Sequence, residues 1–179
     1  MRVITGSARG RKLITLEGEE VIRPTADKVK EALFSIIQFE IEGASVLDLF
    51  AGSGQLGIEA LSRGAKNATF VDHSRDAVEI IKQNLKNTNL FSQSVVLNSD
   101  SFAFLLNKKE QYDIIFLDPP YKKQMVEKAL PGACEVCRDS GIVICETDRD
   151  EELPDEVGNF SKFKEYNHSK TKLTTYRKK

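Results

Sequence analysis

Short apolar runs alternate with stretches of helical spacing through the middle of this chain. Residues 46–50, 68–71, 94–97, 114–117 and 141–145 are brief, mostly apolar and rich in Val, Ile, Leu and Phe. That length and composition predict strands buried on both faces. Between them, residues 55–63, 75–86, 102–106 and 125–137 place apolar side chains at intervals of three and four, which predicts helices. Strand and helix in strict alternation predict a parallel sheet with helices on both faces.

The two ends depart from this rhythm. Residues 1–22 mix small, basic and apolar positions around Gly6, Gly10 and Gly18, and predict a β-hairpin arm with residues 3–4 and 12–16 as its strands. Arg23-Pro24-Thr25 ends extended structure, and Thr25 is placed to cap a helix carrying Val29, Leu33, Phe34, Ile36 and Ile37 and ending before Gly43. At the other end, an acidic loop over 146–156 leads to residues 160–166 and 171–176, which have strand composition and no helix between them. The prediction is an α/β fold: a mostly parallel seven-stranded sheet, an antiparallel C-terminal pair, and a small N-terminal arm. Residues 1–22 form the arm and 23–179 the main domain.

A chain of 179 residues, 40% of them hydrophobic, supports one well-buried core. It has no apolar run of about 18 residues and no signal-peptide core at its start, so a soluble, cytoplasmic protein with no membrane partner is expected. Cys134, Cys137 and Cys145 lack the further ligands of a zinc site and read as reduced thiols. No metal is expected. The net charge of −1 conceals an uneven distribution. Arg2, Arg9, Arg11 and Lys12 open the chain without an acid among them, and lysines including Lys170 crowd its end. Basic ends on a neutral body suggest a local polyanion footprint.

Candidate chemistry falls at the ends of the predicted strands, where ligands bind in such sheets. Asp48 and the loop of Gly52 and Gly54 follow the first strand, Asp72 the second, Asp100 the third, and Asp118-Pro119-Pro120-Tyr121 the fourth. Glycines at 52 and 54 let backbone approach a ligand, and the helix that follows turns its N–H groups to the same space. Gly52, Gly54 and Gly57 also match a dinucleotide fingerprint, so the loop by itself leaves the nucleotide open. The tetrapeptide is more specific. Consecutive prolines fix where the Asp118 carboxylate and the Pro119 carbonyl point. Two such acceptors on the hydrogens of a nucleobase amino group can turn its lone pair out of conjugation, and Tyr121 offers a face on which an unstacked base can lie.

With these two signatures, Leu-Asp-Leu-Phe-Ala-Gly-Ser-Gly at 47–54 and Asp-Pro-Pro-Tyr at 118–121, the chain resembles the S-adenosylmethionine-dependent methyltransferases of nucleobase amino groups. Arg-Val-Ile-Thr-Gly-Ser at 2–7, Gly-Arg-Lys-Leu at 10–13, Arg23-Pro24-Thr25 with Asp-Lys-Val-Lys-Glu at 27–31, and Gly-Ile-Glu-Ala-Leu-Ser-Arg-Gly at 57–64 narrow the likeness. They resemble the small-subunit ribosomal RNA guanine-N2 methyltransferases of the RsmD type, over nearly the whole chain. One departure is the turn at Tyr166-Asn167-His168, where the family has Tyr-Gly and Asn is expected to take the positive φ.

The resemblance implies a Rossmann-like class I methyltransferase fold, S-adenosylmethionine as cofactor and S-adenosylhomocysteine as product. It implies cofactor contacts from Asp48, Phe50, Gly52, Gly54, Asp72, His73, Asp100, Ser101 and Phe102. Among these, Asp48 would hold the loop or reach the methionine amino group, Asp72 would accept the ribose hydroxyls and Asp100 the adenine amino group. Asp118, Pro119 and Tyr121 would act on the target base, with Asp118 a candidate acceptor for the surplus proton. Arg2, Arg9, Arg11, Lys12, Arg23 and Lys170 would meet phosphates of small-subunit ribosomal RNA, in an assembled or partly assembled subunit. A monomer is expected. Three other readings stay open: a DNA adenine-N6 or cytosine-N4 methyltransferase, a nicotinamide-dependent oxidoreductase, and a non-catalytic RNA-binding or assembly factor.

Overall fold

A computed structural model describes residues 1–16, 24–107, 110–120 and 124–179. In chain order it contains α1 (Pro24–Ile36), β1 (Ser45–Leu49), α2 (Gln55–Ser62), β2 (Asn67–Asp72), α3 (Arg75–Asn87), β3 (Ser94–Asn98), α4 (Ser101–Asn107) and β4 (Tyr112–Leu117). It continues through α5 (Met125–Glu135), β5 (Cys137–Asp148), β6 (Glu156–Val157), β7 (Phe160–His168) and β8 (Thr171–Lys178). The strands form one eight-stranded sheet in the order β3-β2-β1-β4-β5-β8-β7-β6. β1 to β5 are parallel, and β8, β7 and β6 continue the sheet antiparallel.

Because β1 is followed on one side by β2 and on the other by β4, the connections leave its carboxyl end in opposite directions. That divergence opens a crevice at the top of the sheet. Both faces below it are dry. Leu33 and Phe34 of α1, Ile58 of α2 and Ile81 of α3 pack on Val46, Phe70, Phe116 and Ile144. On the opposite face, Phe104 and Leu105 of α4 and Leu130 of α5 cover Leu47, Leu49, Ile115 and Val143. Burying each of these large side chains stabilises the fold by roughly 1.5–3 kcal/mol.

The sheet has one strand more than the seven expected. β6 is only two residues long and emerges from the acidic loop, where no alternation could announce it. α5 ends at Glu135, so Cys137 belongs to β5 rather than to a helix. Tyr112 pairs with Cys137, yet Ile114 pairs with Ile142, and the polar segment 138–140 is extruded between these two pairings. All three cysteines are buried free thiols. Burial pushes Cys134 and Cys137 up to about 12, which keeps them unreactive.

α1 begins at Pro24, so Thr25 lies inside its first turn and does not precede it as a cap. Proline suits that place, since its missing N–H would have no helical acceptor there. The β7–β8 turn also differs from the expectation. Asn167 pairs with Lys172 inside the ladder, and the positive φ, 53°, falls on Ser169.

Among the described residues the arm pairs through a single antiparallel bridge, Arg2 with Lys12, instead of two full strands. The reason lies in its competing acceptors. Ile4 and Thr5 donate their N–H groups to the Glu59 carboxylate of α2 at 2.9 and 3.0 Å, and Ile14 donates to Asn84 of α3 at 2.8 Å. Val3, Ala8 and Leu13 meanwhile join the core under α1 and α2. Glu59 is fully buried and also meets Lys30 at 3.1 Å and Arg63 at 2.9 Å. Burial alone would raise its carboxyl, but Lys30, the Ile4 N–H and Arg63 together hold it below the usual value.

Candidate active site

β1 ends at Leu49, and Phe50 at φ 64° turns the backbone out of the sheet. Gly52 at φ 56° and Gly54 at φ 78° complete the turn, in a region that side chains disfavour. Two carboxylates hold the loop in place. Asp72 Oδ2 accepts from the Gly52 N–H at 2.9 Å, and Asp48 Oδ2 accepts from the Gly57 N–H at 2.9 Å. Gly57 has a different task from the other two glycines. A Cβ there would lie 2.4 Å from the Phe70 ring, so this glycine allows α2 to settle on the sheet.

Strand register decides which acids share a face. Asp48 is level with Phe70 and Phe116, and Phe116 with Ile144, so these side chains form one row. One pleat further up, Asp72 and Glu146 project from the same face, because side chains two residues apart along a strand point the same way, and Asp118, the residue after β4, lies near enough for its charge to act on both Asp48 and Glu146. β1 has already turned away at that level. Between Asp72 and Asp118 the row therefore contains the glycine loop, at the switch point between β1 and β4.

This clustering of acids alters their chemistry. Burial, with help from Asp118 and Asp72 and against the Gly57 N–H, pushes Asp48 up to about 8. Burial and the neighbouring Asp118 likewise raise Glu146 well above the usual carboxylate value.

Around the crevice, Asp72 Oδ1 also accepts from the Ser74 N–H at 2.9 Å, and the exposed His73 ring stands 3.6 Å away. Ser74 caps α3 by accepting from the Ala77 N–H. Asp100 caps α4, its Oδ1 accepting from Phe102 and Ala103 at 3.0 and 2.9 Å, while Ser101 is buried. The Phe102 ring stands edge-on to Phe50, centroids 6.0 Å apart, so the two rings join α4 to the glycine loop. Asp118 and Pro119 follow β4, both half-buried; Tyr121 lies outside the described residues.

The basic candidates occupy other places. Arg2, Arg9, Arg11 and Lys12 are exposed on the arm, and Arg23 lies outside the described residues. Lys170 sits in the β7–β8 turn, whose Thr171 pairs with Asp148, so it shares the upper edge of the sheet with Asp118. There it lines a groove of about 580 Å³ with Gln124, Glu127, Arg149, Glu151 and Ser169. Among the described residues, no group of three His, Cys, Asp or Glu side chains is placed to hold a metal ion.

Two residues here escape a reading based on motifs. Glu146 directly follows the apolar run 141–145, so the rule that singled out acids after apolar runs would have found it, although β5 itself continues to Asp148. Asn84 is fully buried on α3, donating to Ile14 O at 2.9 Å and Ser53 O at 3.0 Å, and so ties the arm to the glycine loop. Its signal is a polar residue three positions after Ile81 on an otherwise apolar stripe.

The family model described as Conserved hypothetical protein 95 matches residues 1–177. The chain belongs to that family, and it is of the RsmD type. YlbH of Bacillus subtilis is 39% identical over 184 residues, covering all of both chains. Ribosomal RNA small subunit methyltransferase D of Haemophilus influenzae is 40% identical, over 86% of this chain and 81% of its own. Among solved structures, yhhF from Escherichia coli superimposes with a TM-score of 0.88 at 32% identity, covering 100% of this chain and 98% of that one. The family match takes in the arm, the glycine loop and the Asp118-Pro119-Pro120 turn alike. No described helix is long and apolar enough to cross a membrane.

Proposed function

We propose that this protein transfers a methyl group from S-adenosylmethionine to the exocyclic N2 amino group of a guanine in small-subunit ribosomal RNA. One observation supports the reading: β1 and β4 run side by side and parallel, so the carboxylate-pinned glycine loop after β1 and the Asp118-Pro119 segment after β4 leave the same end of the sheet at the switch point. A cofactor crevice and an acceptor pair for an amino group thereby share one end of the sheet.

The residues present suit this cofactor. A sulfonium and an α-ammonium are cationic, and the charges of Asp72 and Asp118 both reach Asp48 beside the glycine loop. Gly52 and Gly54 keep side chains out of the loop, and the Phe50–Phe102 edge provides an apolar wall for an adenine ring. In this reading Asp48 and Asp72 fix the loop through Gly57 and Gly52. Asp72 also receives ribose hydroxyls beside His73, and Asp100, next to Ser101 and Phe102, receives the adenine amino group. The relatives' printed name supports ribosomal RNA as the substrate class.

When bound, the cofactor supplies an electrophilic methyl carbon on sulfur. Asp118 and the Pro119 carbonyl accept the two amino hydrogens of the target guanine, and the nitrogen lone pair is left facing the crevice. Methyl transfer to that nitrogen would leave it with a surplus proton, which Asp118 is placed to accept. Tyr121 stacks on the base. Arg2, Arg9, Arg11, Lys12, Arg23 and Lys170 meet RNA phosphates, which contributes salt-sensitive affinity without sequence preference.

Two substitutions separate these roles. Asp118→Ala is expected to abolish methyl transfer to small subunits while calorimetric affinity for S-adenosylmethionine changes less than about threefold; wild-type turnover would overturn the chemistry. Asp72→Ala removes a proposed ribose acceptor and the partner of the Gly52 N–H, so cofactor affinity should fall roughly 10- to 100-fold. An unchanged dissociation constant would remove Asp72 from the cofactor site.

A further inference from the structure

Glu146 is the one acid of the upper row for which the mechanism above has no use. It follows Cys145, which pairs with Leu117, so it stands level with Asp118, the residue after β4, whose charge reaches it. On its other side it faces Leu173 of β8, which is fully buried, with Tyr166 of β7 next beyond. Asp48, Asp72 and Asp100 each accept a backbone N–H, whereas among the described residues no hydrogen-bond donor or cation is paired with Glu146. Among the described residues, other charged groups on this face are engaged elsewhere. Asp48 and Asp72 hold the glycine loop, and Lys30 of α1 pairs with Glu59 of α2. Among the described residues, Asp118 is the group whose charge acts on Glu146.

Two carboxyl groups this close in a half-buried setting do not both ionise readily, and the favoured arrangement is one proton between them. Resting on the methyltransferase reading, we propose that Glu146 is a positioning residue for Asp118: it carries the proton of a shared carboxyl pair, leaving Asp118 an ionised acceptor aimed at the target amino group. Before methyl transfer the pair holds one proton. Afterwards Asp118 takes the second from the methylated nitrogen, and one of the two is released to water as product leaves, which restores the starting state. Asp118 alone touches the substrate, and Glu146 acts through it. The arrangement also explains a carboxyl retained against an apolar strand, where an uncompensated charge would be costly.

The test uses the full chain and small ribosomal subunits, with Glu146→Gln and Glu146→Ala compared from pH 6 to 10. Gln imitates the protonated acid. Glu146→Gln should keep kcat at neutral pH within about threefold and lose the alkaline decline of the wild type, because its amide cannot ionise. Glu146→Ala should lower kcat about 100-fold with KM for RNA and cofactor affinity unchanged. The proposal is overturned if Glu146→Ala turns over normally, if it raises KM alone, or if Glu146→Gln falls as far as Glu146→Ala.

A readout without methyl transfer keeps the proposal separable from the functional reading. In the cofactor-free protein, carboxyl-carbon NMR should show Glu146 titrating well above ordinary glutamates and shifting downward in Asp118→Asn. A Glu146 titration that ignores Asp118→Asn overturns the shared pair whatever the activity. An inactive wild type in which the NMR coupling is present would instead count against the methyltransferase reading.

Discussion

Replacing Asp48 by Asn should make this protein more stable at neutral pH, and increasingly so as pH rises. Asp48 is 2% exposed, and its surroundings lift the carboxyl from 3.8 to about 8. Below about pH 4 the group is protonated in both folded and unfolded chains and costs nothing extra. Between that point and pH 8 the unfolded chain releases the proton first, so the stability due to this group is progressively lost. At about 1.4 kcal/mol per pH unit the full loss approaches about 6 kcal/mol. The Asn side chain is close to isosteric and its carbonyl oxygen can still accept from the Gly57 N–H, so the loop contact at 2.9 Å survives. Urea unfolding of both proteins at pH 5, 6, 7 and 8 reads the difference directly. The variant should gain roughly 1 kcal/mol at pH 5 and about 3 to 6 kcal/mol at pH 8. A difference that stays constant with pH would refute the buried, protonated Asp48. In the same reasoning a cationic cofactor draws Asp48 toward its ionised form, so binding near pH 7 should release protons in the wild type and fewer in Asp48→Asn.

Glu59→Gln should destabilise the protein by about 3 to 5 kcal/mol at pH 7, because Lys30 remains buried without its partner. The wild type should lose that advantage as pH falls through the depressed folded value of Glu59, a trend which urea unfolding between pH 2 and 6 would show and the variant would lack. Neutralising Arg9, Arg11 and Lys12 together should weaken binding to ribosomal substrate and reduce the log–log salt slope by roughly 2 to 3; unchanged affinity and slope would remove the arm from the RNA interface.

The order of strands and helices was readable because each element's hydrophobic period differs from its neighbour's. Other features depend on tertiary contact. β6 is two residues long, too short for any period to register. The arm's ladder fails because Glu59 and Asn84, distant in sequence, take the amides of Ile4, Thr5 and Ile14. In the site, acids at the ends of the apolar runs were legible as candidates, and register places Asp48 and Asp72 on one face. Sequence could not reveal that Asp72 spends one oxygen on Gly52 and the other on Ser74, or that Asp100 caps α4. Glu146 obeys the same logic, yet without a flanking Pro-Pro it has no local mark. Only its place beside Asp118 gives it a role.

Incubating the protein with methyl-labelled S-adenosylmethionine and unmodified small subunits, protein-free ribosomal RNA or duplex DNA, then identifying the labelled nucleoside by mass spectrometry, tests the central claim most directly. The account predicts N2-methylguanosine from a single position of the small-subunit RNA and no label with Asp118→Ala. Label on adenine or cytosine, label in DNA alone, or no label in any substrate would contradict it.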